Sequence, residues 1–176
     1  ARLGHSNPQI LAQRGAAAHF AVGSAFKLWV LEALAEDIRR GKRHWRDVVS
    51  PGPASLPSGI MQNWPENAPV TLETLATLMI SQSDNTATDT LIRLIGRENI
   101  ERRVAMTGHA DPQRMAPFLT TIEAFSLKAS APSVRTAWEN GDAVARRALL
   151  GRLDPDAARI DLARLEAGKP NGIDTI

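Results

Sequence analysis

Ser24 and Lys27 stand three residues apart in "VGSAFKLWVL", where a polar turn leads into an apolar run. Positions i and i+3 of a helix share a face, so the hydroxyl and the amine point the same way. Both the positive end of a helix dipole and an apolar surround disfavour an ammonium, which lowers a lysine's pKa. A neutral amine is a base. Beside a serine hydroxyl it can take the proton as the oxygen attacks a carbonyl, and N–H groups of the first turn can hold the oxyanion. A plainer reading uses the same residues: Ser24 caps the helix and Lys27 snorkels to water. Ser-x-x-Lys is too short to choose between them.

A second polar group lies 59 residues on, at Ser83-Asp84-Asn85 in "SQSDNTATDT". Ser83 supplies a hydroxyl that accepts and donates, and Asn85 an amide that can orient a carbonyl or the lysine amine. Asp84 reads as the cap of the helix that follows.

The surrounding pattern is mainly helical. Leu28, Leu31, Leu34, Ala35 and Ile38 recur at helical spacing from Ser24 to about Arg40, and the first turns are apolar nearly all round, which predicts a central, buried helix. Gly41 follows as a C-cap. Residues 50 to 69, rich in Pro, Gly and Ser, predict a long loop of the kind that often serves function. Thr71-x-x-Thr74 opens a helix to about Gln82, with Leu72, Leu75, Leu78 and Met79 on its apolar side. Further helices are expected over 85–94, 98–106 and "TTIEAFSLKA", the last with a capping box from Thr120 to Glu123. Residues 132–167 again look helical, broken at Asn140-Gly141 and Asp154-Pro155. Ile10 to Ala12 reads as a short strand.

Composition narrows the classes. The chain has 176 residues, one domain's worth, with no run of apolar residues long enough for a membrane span and a net charge of only +2. Nothing in it calls for nucleic acid. It lacks cysteine, so disulfides, thiolate metal sites and a cysteine nucleophile are excluded. His5, His19, His44 and His109 share no metal spacing, and neither a metal nor a cofactor is expected. The basic run Arg39 to Arg46 reads as a helix end followed by a solvated loop. Trp64, in the long loop, either walls a cleft and binds substrate or packs beneath the loop.

Ser-x-x-Lys with Ser-Asp-Asn is the signature pairing of class A β-lactamases and penicillin-binding proteins. "VGSAFKLWVLEAL" resembles the nucleophile helix of that family, "LATLMISQSDNTATDTLI" its second-motif region, and the 59-residue gap is close to the family's spacing. The resemblance covers about residues 20 to 95. It implies an α/β (α+β) β-lactamase/D,D-peptidase-like fold in one domain spanning residues 1–176, with a helical part over about 24–167. By the same resemblance Ser24 is the acylated nucleophile, Lys27 its base and Ser83 a proton relay. Asn85 then binds substrate, and the Ser24 N–H forms half of an oxyanion hole.

Two family features are absent. No Lys-Thr/Ser-Gly motif follows, and the chain ends 93 residues after Ser83, so a truncated domain lacking the later strands of its sheet is expected. No Glu-x-x-Leu-Asn motif occurs either; Glu123 lies in the region, but the capping box accounts for it. "PFLTTIEAFSLK" is similar instead to divergent β-lactamase-like serine hydrolases, including the relative found in clavulanic-acid gene clusters. Slow deacylation of a β-lactam adduct is therefore expected.

The expected function is acyl transfer through Ser24 on a small ester, amide or β-lactam. The alternatives are a D,D-peptidase acting on peptidoglycan stem peptides and a non-catalytic domain that keeps the fold. A periplasmic or secreted setting follows if the chain is typical of the family. The oligomeric state is left open.

Overall fold

The computed structural model describes residues 22–55 and 58–153, together with Ala12 and Arg14. The strand expected at Ile10 to Ala12 falls outside these residues apart from Ala12, as do the break at Asp154-Pro155 and the helix continuing to residue 167. Among the described residues the chain is mainly helical, with one two-stranded antiparallel sheet.

A 3-10 turn, Gly23–Phe26, leads into α1 (Lys27–Arg39), which ends at Gly41 in the left-handed region, φ 70°. Strand β1 (Val48–Val49) pairs with β2 (Val70–Thr71), Val48 opposite Thr71 and Val49 opposite Val70, and so ties off the base of the long loop. Thr71 caps α2 (Leu72–Ser81) by accepting from the Thr74 N–H. Then come α3 (Asn85–Ile95), α4 (Arg97–Met106), α5 (Thr121–Ala129), α6 (Pro132–Asn140) and α7 (Ala143–Leu150). The Thr120–Glu123 capping box that opens α5 is present in both directions.

The buried face of α1 is not the predicted one. Lys27, Val30, Ala33, Leu34 and Asp37 turn inward, whereas Leu28 is 60% exposed and Ala35 lies at the surface. The apolar residues surround the first turns so evenly that periodicity could not choose a face. The neighbours chose: α2, α3 and α4 pack on the Val30–Leu34 side.

The central element is α3, not α1. Asn85 through Ile92 are all buried, and α3 touches α1, α2, α4 and α5. Its apolar face (Ala87, Leu91, Ile92, Ile95) meets Leu72, Leu75 and Met79 of α2 and Ile100 and Val104 of α4. Its other face is polar and buried, which a hydropathy pattern alone reads as surface. There threonines serve the loop: Thr86 Oγ1 accepts from the Ser55 N–H at 2.9 Å, and Thr90 Oγ1 accepts from the Gly52 N–H at 3.0 Å. Thr88 and Thr90 donate back to the carbonyls of Asp84 and Thr86 at 2.6 and 2.7 Å. These bonds supply the partners that burial demands.

Candidate active site

The position of Ser83 follows from a strained turn. Ser83 has φ 52°, a left-handed conformation that costs a residue with a Cβ on the order of 1 kcal/mol. Its surroundings hold it there. The Ser83 carbonyl accepts from Lys27 Nζ and from Ser58 Oγ, each at 2.6 Å, and the Asn85 N–H donates to the Ser58 carbonyl at 2.9 Å.

Asp84 anchors this turn. Its Oδ1 accepts from the Ala87 N–H at 2.8 Å, the capping bond of α3. Its Oδ2 accepts from the N–H groups of Ile60 and Met61 at 2.7 and 2.8 Å. One fully buried carboxylate thus joins the long loop to the start of the central helix. Gly59, at φ 112°, makes the approach possible, because a Cβ there would lie 2.2 Å from Asp84 Oδ2.

Ser24 is exposed on its 3-10 turn, and its Oγ lies 2.8 Å from Ser83 Oγ. Lys27 is 2% exposed. Its Nζ donates to Ser83 Oγ and to Asn85 Oδ1, both at 2.9 Å, besides the Ser83 carbonyl. Burial pushes the Lys27 amine down to about 8, with the charges of Asp89 and Asp84 pulling the other way. Two of its three partners, a carbonyl and an amide oxygen, can only accept. When the ammonium loses a proton, the lone pair therefore comes to face the Ser83 hydroxyl, the one partner able to donate.

Asp89, one helical turn beyond Asn85, is also fully buried. It accepts from Ser55 Oγ at 2.7 Å and from the Thr121 and Ile122 N–H groups at 2.6 and 3.1 Å, fixing the start of α5 against α3. Burial raises its carboxyl, and those same hydrogen bonds oppose the rise.

Ser24, Ser58 and Asn85 open onto a cavity of about 260 Å³ whose far wall runs from Met115 to Lys128. The structure does not bring Trp64 to this cavity. Trp64 packs against the main core and lines a separate hollow beneath the loop, with Pro51, Pro53 and Thr86. An indole is largely apolar, which suits its packing against the core there. Glu123 is likewise occupied, by its capping bond to the Thr120 N–H and an ion pair with Arg97 at 2.8 Å.

The basic run is largely neutralised in place. Arg39 and Arg40 pair with Glu36, and Lys42 and Arg43 with Asp37. His109 stacks edge-on against Trp29 and His44 lies beside Asp47, whereas His5 and His19 fall outside the described residues. Among the described residues no group of side chains is placed to hold a metal ion, and no helix is long and apolar enough to cross a membrane.

Sequence reasoning picked out Ser24, Lys27, Ser83 and Asn85, which the structure brings together. It missed Ser58 and the loop-anchoring half of Asp84's role. The signal for Ser58 was slight, a serine before a glycine in a Pro-rich loop.

The profile of a family described as "Beta-lactamase enzyme family" matches residues 6–149. Among solved structures, a β-lactamase from Sphaerobacter thermophilus DSM 20745 is 31% identical with a TM-score of 0.50, over 52% of this chain and 36% of that one. PBP-A is 25% identical with a TM-score of 0.49, over 51% of this chain and 35% of its own. A PBP-A mutant solved as an acyl-enzyme complex with penicillin-G gives the same figures. The chain thus spans about a third of the length of these solved structures. None of the curated proteins matches it.

Proposed function

Because the chain belongs to the beta-lactamase enzyme family, we propose that it is a serine hydrolase that transfers the acyl group of a small ester, amide or β-lactam to Ser24. The reading rests on one observation, the unbroken hydrogen-bond path from Ser24 Oγ through Ser83 Oγ to Lys27 Nζ, with steps of 2.8 and 2.9 Å.

In the first step Ser24 Oγ attacks the carbonyl carbon. Its proton moves to Ser83 Oγ as the Ser83 proton moves to the neutral Lys27 amine. The amide nitrogen of Asn85 donates to the substrate, since Asn85 Oδ1 is engaged by Lys27. The Ser24 N–H serves as one donor to the oxyanion. As the tetrahedral intermediate collapses, the carbonyl carbon parts from its leaving oxygen or nitrogen. The lysine's proton returns along the path to that atom, leaving an ester on Ser24. In the second step water attacks the ester carbonyl, its proton follows the same path to Lys27, and the Ser24 oxygen is reprotonated as the acid leaves. Lys27 is the base in both steps, and β-lactam adducts turn over slowly.

The test uses the intact protein and 4-nitrophenyl acetate. The reading predicts a burst of one nitrophenolate per protein followed by slower turnover, with both lost in Ser24→Ala. Equal nitrophenolate release from wild type and Ser24→Ala would overturn it.

A further inference from the structure

The cavity beside Ser24 is unlike a site for a polar substrate. Its walls are Phe26 on the 3-10 turn and Met115, Phe118, Leu119, Ala124 and Phe125 on the facing segment. Phe118 and Met115 are 2% and 1% exposed, so they form a fixed floor, and the Phe26 and Phe118 rings meet at 5.9 Å, tilted 55°. The polar groups that reach the cavity stand at its rim and ends: Ser24, Ser58 and Asn85 on one side, the capping threonines Thr120 and Thr121, and Lys128 at the end of the far wall. Thr121 and Ile122 are tied by their N–H groups to Asp89, which holds the apolar wall in place from behind. An apolar cavity of about 150 Å³ accepts benzene. This one, at about 260 Å³, has room for an aromatic ring and a short linker.

We propose that the cavity takes the acyl portion of the substrate, and that the preferred acyl group is apolar: an aryl-acetyl group or an unbranched chain of about four to six carbons. This rests on the acyl-transfer reading and narrows it. Away from Thr120, Thr121 and Lys128, a peptidyl acyl group would bring amide groups against phenylalanine, methionine and leucine, where they would lose hydration without gaining partners. Each methylene of an alkyl acyl group leaves water there, a gain of about 0.8 kcal/mol or roughly fourfold. The chemistry is one acylation: the Ser24 oxygen bonds the carbonyl carbon, the ester bond to nitrophenol breaks, and nitrophenolate departs while the serine proton passes to Lys27.

The experiment measures acylation of the intact protein by 4-nitrophenyl acetate, butyrate, pentanoate, phenylacetate and N-acetylglycinate, the last similar to pentanoate in length but carrying an amide. The expected second-order rate constant rises about fourfold per methylene from acetate to pentanoate. Phenylacetate exceeds acetate by at least tenfold, and N-acetylglycinate falls back near acetate. In Ala124→Leu and Ala124→Phe, which fill the cavity, the pentanoate-to-acetate ratio drops about tenfold. A flat series, or N-acetylglycinate faster than pentanoate, with Ser24 acylated throughout, overturns the apolar preference and leaves the acyl-transfer reading standing. Failure of every ester to acylate Ser24 overturns both.

Discussion

Ser83, not Lys27, is the residue that touches Ser24: the two hydroxyl oxygens lie 2.8 Å apart, and the hydrogen-bond path from Lys27 to Ser24 runs through Ser83 Oγ. The spacing of Ser24 and Lys27 on one helix face suggests a direct pair. The structure instead spends all three Nζ donors on Ser83 and Asn85. Losing either serine hydroxyl breaks the path.

Ser83→Ala and Ser83→Gly should each slow acylation by about 10² to 10⁴, the usual worth of a positioned proton-transfer group. They should differ in stability. Glycine adopts φ 52° without the steric cost that serine and alanine both bear, so Ser83→Gly melts higher than Ser83→Ala. Melting curves and stopped-flow acylation on the same preparations check both halves.

Acylation should need the neutral form of Lys27. With the amine at about 8, the rate rises about tenfold per pH unit below that value and levels above it. Lys27→Met removes the profile together with the rate. A wild-type profile flat from pH 6 to 9 would mean another base.

The same lowered pKa has a consequence for stability. Between about pH 8 and 10.5 the unfolded chain holds a proton on Lys27 that the folded protein has released. Stability therefore rises with pH across that window and carries the full penalty below it. Denaturant titrations at pH 8 and 10.5 should show this rise in wild type and its loss in Lys27→Met.

Asp84→Ala should destabilise the protein by about 3 kcal/mol, because three backbone N–H groups lose their acceptor and one of them is the α3 cap. Gly59→Ala should act in the same direction, since its Cβ would meet the same carboxylate. Urea midpoints for the two variants should fall together. A neutral Gly59→Ala would show that the loop can move away from Asp84.

Helices and caps were legible in the sequence wherever a local signal sets them: Thr71 before α2, Asp84 before α3, and Thr120 with Glu123 at α5. The cluster of Ser24, Lys27, Ser83 and Asn85 was legible because its residue types are costly in their positions, above all a lysine in an apolar run. The buried face of α1 was not, because Leu28 and Val30 are equally apolar and tertiary packing alone decides between them. Nor was the centrality of α3. "SDNTATDT" reads as surface by hydropathy, and it is buried because its hydroxyls and carboxylates hold backbone N–H groups of a distant loop and of α5. Trp64 stayed ambiguous for a like reason: an aromatic in a loop serves a cleft or a core equally well until the loop's path is known.

The most direct test of the central claim is mass spectrometry of the intact protein after incubation with a fluorophosphonate and with penicillin G, beside Ser24→Ala. The account predicts one adduct per wild-type molecule, mapped to the peptide containing Ser24 and absent from the variant. An adduct that persists in Ser24→Ala, or a folded wild type that takes up neither reagent, would contradict it.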